Sequence, residues 1–193
     1  MTLIKSQNLY IDKFTLDLAE SVHLYSLDED NRTFLPEEVF ETIDEAKEVI
    51  TKLISYYGQK DKPKVFPVFL NNSQHIGHIQ AVPINVKDKC RERCPHSSDW
   101  EIGYHIAKQN TNNGYATEAL KAFLNPIIQY LEIHQIYGIC RADNPASSRV
   151  LEKCGFVLTF DGIGDYHGSK HYILRYIHVS VFHINHCFSC LTH

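Results

Sequence analysis

A strand, a glycine-ended turn and a long helix follow one another over residues 100–133, and this segment constrains the fold more than any other. The run from Trp100 to Ile106 is typical of a strand, and the polar turn after it ends at Gly114, where an apolar-periodic helix begins. The first N–H groups of a helix have no partner within the helix, and the helix dipole is positive at that end. The segment therefore predicts a phosphate-binding helix start beside a sheet.

The composition is that of a globular domain with a sizeable core. The chain has 193 residues, of which 44% are hydrophobic and 22% charged. Its net charge of −4 argues against nucleic-acid binding as the main role, because no basic surplus is present to hold a polyanion. No apolar run reaches the roughly 18 residues of a membrane span, and the N-terminus has no signal-peptide run. We therefore expect a cytoplasmic protein with no nucleic-acid or membrane partner, whose six cysteines are mainly reduced thiols.

Hydrophobic periodicity predicts a mixed sheet with helices packed on it. A capping-box pattern at Thr42 to Glu45 marks the start of the second helix, Gly155 ends the last helix, and Pro126 is expected to kink the longest one. The predicted helices are 15–27, 42–57, 114–133 and 146–153. The predicted strands are 9–14, 65–70, 75–82, 100–106, 136–141, 156–160 and 171–179, with a hairpin between the second and the third.

Two sequence blocks resemble motifs of the GNAT acetyltransferase superfamily. The first joins Glu101–Tyr104 to Gly114–Ala119 and is similar to motif A; the second, Asn144–Phe156, is similar to motif B of the subgroup with the Rim-type ribosomal-protein N-terminal acetyltransferases. The blocks have the expected order and separation, and the resemblance covers residues 8–178. It implies an α+β GNAT fold, with a central, mixed, mostly antiparallel twisted sheet of about seven strands flanked by about four helices. We expect one acetyltransferase domain over residues 1–178 and a C-terminal extension over 179–193.

The resemblance implies acetyl-coenzyme A as co-substrate. The family's phosphate loop, R/Q-x-x-G-x-G/A, falls here on Thr111–Ala116, where Gly114 lets the backbone approach the phosphates closely. Thr111 departs from the usual Arg or Gln, which removes a long side-chain contact but leaves the N–H groups. The cofactor-binding residues that the resemblance implies are Tyr104, His105, Ile106, Thr111, Asn112, Asn113, Gly114, Tyr115, Ala116, Thr117 and Asn144. Among them, Asn144 is similar to a residue that hydrogen-bonds the pantetheine arm; the alternative is a turn before Pro145.

Amide formation from an amine requires a group that takes a proton. Glu101 matches the place where several members of the family carry a general base, acting directly or through a water; the alternative is a structural carboxylate. Strand alternation places Glu101 and His105 on one face, with Trp100, Ile102 and Tyr104 on the other. His105 is the lesser candidate for the base. In the family, a backbone N–H near the end of this strand stabilises the tetrahedral intermediate, and here that end is Tyr104 to Ile106.

The thiolate that leaves coenzyme A also needs a hydrogen-bond donor. Many members of the family use a Tyr seven residues after the motif-B Asn, but that position here is Leu151. The Rim-type subgroup instead has a Ser at the position of Ser147, which is our candidate for thiolate stabilisation. The alternative for Ser147 is a role in the first turn of the short helix, where serine is favoured. The cations Lys108, Arg149 and Lys153 either reach the outer phosphates or are surface charges.

The acceptor is expected to be an amine-bearing compound, either a protein N-terminus or a small molecule. In this fold its site is lined by the segments 29–40 and 161–170, whose carboxylates include Glu37, Glu38, Asp161 and Asp165. The predicted function is therefore an acetyl-CoA-dependent N-acetyltransferase, a monomer or a homodimer, that transfers the acetyl group by direct attack of the amine. The alternative is a non-catalytic acyl-CoA-binding or sensor domain.

Two groups of histidines and cysteines have spacings that permit zinc. Cys90, Cys94 and His96 form only half of such a site. The second group lies in the last residues of the chain, where interleaved apolar residues favour strand or packing roles; it consists of His183, His186, Cys187, Cys190 and His193. We predict no metal site.

Overall fold

The computed structural model describes residues 3–84, 100–166 and 169–179. These residues form eight strands in one sheet, together with five α-helices. The strands are β1 (Ile4–Lys5), β2 (Leu9–Ile11), β3 (Lys64–Leu70), β4 (His75–Pro83), β5 (Trp100–Ile106), β6 (Gln135–Arg141), β7 (Val157–Tyr166) and β8 (Ser169–Val179). The helices are α1 (Ala19–Ser26), α2 (Glu29–Phe34), α3 (Ile43–Tyr56), α4 (Tyr115–Leu131) and α5 (Pro145–Lys153). None of these helices is long and apolar enough to span a bilayer.

The sheet has the strand order β1-β2-β3-β4-β5-β6-β8-β7, and only the pair β5–β6 is parallel. This confirms the predicted mixed, mostly antiparallel sheet, including the hairpin between β3 and β4. The eighth strand, β1, was not predicted because two residues carry no alternation. It pairs with β2 at the edge of the sheet.

The helices that carry strong local signals match the prediction. Thr42 and Glu45 form both hydrogen bonds of the capping box at the start of α3, and Gly155 has a φ of 84° just after α5. The predicted helix 15–27 is instead a 3-10 turn followed by α1. Helix α2 was not predicted because its six residues, EDNRTF, have no apolar periodicity.

The two faces of the sheet carry different helices. Helix α4 buries its predicted apolar face against one side, where Ile102 of β5 belongs to the main core. A second cluster, around Phe14 and Ile50, lies on the other side of the sheet. It contains Val65, whereas the next residue of β3, Phe66, belongs to the main core, and successive side chains of a strand point to opposite faces. The same alternation puts Tyr104 on the α4 side and both Glu101 and His105 on the opposite side, as predicted.

Strands β5 and β6 separate after a short pairing. They are in register only at Glu101 with Tyr137 and at Ile102 with Gly138. Helix α5 packs closely on β6, since a Cβ on Gly138 would lie 2.5 Å from Cδ2 of Leu151. The gap between the two strands therefore opens toward the first turns of α4 and α5.

Candidate active site

A cleft of about 1070 Å³ occupies the gap between β5 and β6. One half of the cleft, here called the cofactor half, consists of residues 110–117 and of residues 144–153 in and before α5. The other, here called the acceptor half, consists of residues 30–38, the facing residues of β4, the Glu101 side of β5, and Tyr166. The two halves meet along β5.

The turn before α4 presents an open backbone to the cofactor half. Gly114 has a φ of 81° and Asn112 a φ of 65°. A Cβ on Gly114 would meet no heavy atom within 4 Å, so this space is free for a ligand. The side chains of Thr111 and Asn113 hydrogen-bond carbonyl groups within the turn, at 2.9 Å for Thr111 and at 3.0 and 3.1 Å for Asn113. These bonds hold the turn, and the N–H groups at the start of α4, which have no partner within the helix, suit an anion.

The three cations near the turn differ in their surroundings. Lys108 lies 2.8 Å from a carboxylate oxygen of Asp30, and its backbone N–H donates to Asp28. Arg149 and Lys153 line the cofactor half and are exposed. They are therefore better placed than Lys108 to contact a phosphate group.

Glu101 lines the cleft where the two halves meet, opposite Val82 of β4. His105 lies on the same face, and its ring centroid is 5.8 Å from that of His78. Burial and then the neighbouring His78 lower the pKa of His105 to about 4, so its ring is neutral near pH 7. A base that holds a proton so weakly is a poor acceptor for the proton of an amine.

Tyr166 extends from the end of β7 into the acceptor half. Burial, and after it the carboxylate of Glu101, raise the pKa of the Tyr166 hydroxyl, with smaller contributions from Glu37 and Glu38. The Tyr166 hydroxyl therefore stays protonated and can donate a hydrogen bond.

Ser147 lies in the first turn of α5, at the boundary of the two halves. Its backbone N–H donates to the side-chain oxygen of Asn144, which caps the helix at 3.1 Å. The Tyr104 hydroxyl lies 3.0 Å from both the carbonyl oxygen and the hydroxyl of Ser147. Cys140 of β6 is buried beside them; burial raises the pKa of its thiol to about 11, against a lowering effect of the hydrogen bond with Ser147.

The sequence of this chain matches a known family. The sequence profile of the acetyltransferase (GNAT) domain matches residues 8–157, which is most of the chain. The chain belongs to the GNAT acetyltransferase family. The N-acetyltransferase YnaD of Bacillus subtilis, which is uncharacterized, is 29% identical over 153 residues, covering 79% of this chain and 81% of its own.

Solved structures of GNAT acetyltransferases have the same fold as this one. A GNAT acetyltransferase from Bacillus anthracis is 27% identical, with a TM-score of 0.73 over 92% of this chain and 98% of its own. A RimL ribosomal-protein alpha-N-acetyltransferase in complex with coenzyme A has a TM-score of 0.72 at 20% identity, over 92% of this chain and 97% of its own. The resemblance to the Rim-type subgroup is thus confirmed at the level of the fold.

The cleft of this acetyltransferase brings the predicted site residues together. All predicted cofactor-binding residues except Asn113 line it, as do Glu101 and Ser147. Asn113 instead lies behind the turn and bonds to its carbonyl groups. Leu151, at the position of the absent tyrosine, is buried against Gly138.

The acceptor half contains a polar cluster that the sequence did not reveal. His78 lies 2.9 Å from one carboxylate oxygen of Glu38, and the amide of Gln80 donates to the other at 2.8 Å. Burial raises the pKa of Glu38, but the interactions with His78 and the hydrogen bond from Gln80 outweigh it, so the pKa lies below its ordinary value. Alternation along β4 places His78 and Gln80 on one face, but only the fold shows that Glu38 reaches them.

The two groups of histidines and cysteines whose spacing permits zinc, at residues 90–96 and 183–193, lie outside the described residues. Within the described residues, no group of three or more His, Cys, Asp or Glu side chains could hold a metal ion.

Proposed function

We propose that the protein transfers the acetyl group of acetyl-coenzyme A directly to a primary amine, on a small molecule or a protein N-terminus. One observation carries this proposal: a single cleft joins a helix start suited to phosphates to a carboxylate-rich face. The first feature alone would suit any acyl-CoA-binding domain. The second feature suits an acceptor that arrives as a cation.

Several features of the cofactor half favour coenzyme A. The N–H groups at the start of α4 would hold the pyrophosphate, and the glycine at position 114 would let it approach. After Ile102, no described strand pairs with the edge of β5 that faces β6. The backbone N–H and C=O groups of this edge are therefore available to the pantetheine arm. The fold neighbour bound to coenzyme A supports the same assignment.

The charges of the acceptor half favour a protonated amine. Its lining carboxylates are Asp30, Glu37, Glu38 and Glu101. Arg32 belongs to the same segment but pairs with Glu41 and does not line the cleft, and no other described residue of this half is a lysine or arginine. Within this set, Asp30 lies 2.8 Å from Lys108 and Glu38 lies 2.9 Å from His78, while Glu101 lies where the two halves of the cleft meet. An ammonium group would be attracted to this place, from which Glu101 would then accept its proton.

The proposed reaction proceeds in one transfer step. Glu101, directly or through a water, takes one proton from the bound ammonium group and passes it to solvent, so that the neutral nitrogen can attack the thioester carbon. The nitrogen gives up a second proton to Glu101 once its bond to carbon has formed. The carbon–sulfur bond then breaks, its electron pair goes to sulfur, and the Ser147 hydroxyl donates a hydrogen bond to the departing thiolate. Cys140 is an unsuitable alternative nucleophile, since a buried thiol with a pKa of about 11 is not ionised near pH 7.

An assay of thiol release separates this function from that of a sensor domain. The purified protein is mixed with acetyl-CoA and, in turn, a peptide with N-terminal serine, a polyamine and a simple primary monoamine. We expect amine-dependent release of free thiol with at least one of them. Binding of coenzyme A without thiol release for any amine would support the sensor and contradict the proposed function.

A further inference from the structure

Tyr104 connects strand β5 to helix α5 through its hydroxyl. The ring starts on the α4 side of β5 and packs against the main core. Its hydroxyl reaches the first turn of α5, 3.0 Å from the carbonyl oxygen of Ser147 and 3.0 Å from the Ser147 hydroxyl. One side chain thus contacts both the carbonyl oxygen and the hydroxyl of the residue that we place next to the departing sulfur.

The number of protons in this contact permits two hydrogen-bond arrangements. The carbonyl of Ser147 can only accept, whereas each hydroxyl has one proton to give. In the first arrangement Tyr104 donates to the carbonyl and the Ser147 hydroxyl donates to Tyr104. In the second, Tyr104 donates to the Ser147 hydroxyl oxygen, and the proton of Ser147 is free to point elsewhere. The carbonyl stays satisfied in both, because it also lies in the helical ladder of α5.

We propose that Tyr104 is a positioning residue that acts through Ser147, by switching from the first arrangement to the second as the thiolate leaves. This inference rests on the proposed function, because it assumes that the sulfur of coenzyme A departs beside Ser147. The hydroxyl of Ser147 then donates to sulfur while its own oxygen is supported by Tyr104.

The proton count of the step is balanced without ionising the tyrosine. The electron pair of the carbon–sulfur bond goes to sulfur, and the two protons that the ammonium nitrogen loses, one before the attack and one after it, go to Glu101 and then to water. Tyr104 keeps its proton throughout, since burial raises the pKa of its hydroxyl far above neutral. After release, the thiolate takes a proton from water and becomes the free thiol of coenzyme A.

A double-mutant cycle tests this role, with Tyr104→Phe, Ser147→Ala and the combined variant. The phenylalanine keeps the ring in the core and removes only the hydroxyl. We expect Tyr104→Phe to lower kcat about tenfold, the loss of one hydrogen bond, and to leave KM for acetyl-CoA unchanged. Because Tyr104 acts through Ser147, the combined variant should have the kcat of Ser147→Ala alone.

The chain offers a matched control in Tyr176. Its buried hydroxyl lies 2.6 Å from the hydroxyl of Ser148, the next residue in α5, and it does not line the cleft. Tyr176→Phe therefore removes a comparable tyrosine–serine bond to the same helix, together with the bond that Tyr176 donates to Glu152. We expect this variant to lose thermal stability but to keep kcat, so that anchoring of α5 is distinguished from support of Ser147.

The kinetics of the variants test the role of Tyr104, and the activity of the unmodified protein tests the proposed function. Losses that multiply in the combined variant would overturn the inference, because Tyr104 would then act independently of Ser147. An unchanged kcat in Tyr104→Phe, or an equal fall in Tyr176→Phe, would overturn it as well. Absence of acetyl transfer in the unmodified protein would instead contradict the proposed function, and can be recognised before any variant is made.

Discussion

Replacement of Glu101 by glutamine is expected to lower kcat/KM for the amine by about 100-fold to 10,000-fold, the range typical of a lost general base. Glutamine has nearly the same volume and still forms hydrogen bonds, but it cannot accept the proton. Glu101 lines the junction of the two halves of the cleft, where thioester and amine would meet. Steady-state rates of thiol release at saturating acetyl-CoA would measure the loss.

The pH dependence and a control make this prediction specific. An amine loses its own proton near pH 8 as an N-terminus, or near pH 10.4 as a lysine-type amine. The loss in Glu101→Gln should therefore narrow as the pH is raised toward that value. Glu48→Gln, an exposed change on α3 far from the cleft, should keep full activity. Unchanged turnover of Glu101→Gln with lowered stability would instead assign Glu101 a structural role.

Gly114→Ala is expected to raise KM for acetyl-CoA about tenfold, as when one charge-assisted hydrogen bond to a phosphate is lost. Within the protein the new methyl group would meet no atom within 4 Å, so any clash must come from a ligand. The φ of 81° adds backbone strain on the order of 1 kcal/mol for a residue with a Cβ. Titration calorimetry with coenzyme A measures the affinity directly.

Gly155→Ala is the matched control for strain. Gly155 has a φ of 84°, and a Cβ there would come no closer than 3.9 Å to another residue, His178. The two variants should therefore lose similar stability in urea, while only Gly114→Ala loses affinity for coenzyme A. Equal affinities in both variants would mean that the phosphates do not bind at the start of α4.

Local patterns in the sequence predicted the features that depend on neighbouring residues. The capping box of α3, the apolar face of α4 and the alternation of β5 each follow from residues a few positions apart. Helix α2 has no such pattern, and it forms against the rest of the fold. The pair Tyr104–Ser147 joins residues 43 positions apart, and Glu38–Gln80 joins residues 42 apart. No local signal exists for such contacts, so the motifs indicated the reaction but not the groups that support it.

The position of Leu151 is a second case in which the sequence carries no signal for a contact between distant residues. The motif comparison showed only that the usual tyrosine is absent there. The structure shows why leucine fits, because the side chain lies against Gly138 and brings α5 close to β6. That packing also places Ser147 within reach of Tyr104, which no single-residue comparison would indicate.

Direct transfer from acetyl-CoA to the amine is the central claim, and intact-protein mass spectrometry after rapid mixing tests it most directly. The protein is first mixed with excess acetyl-CoA alone, and then with an amine that supports thiol release. We predict an unmodified protein mass in the first mixture, and in the second one acetylated amine for each coenzyme A released. An acetyl group on the protein that forms without amine and passes to the amine on its addition would contradict the claim.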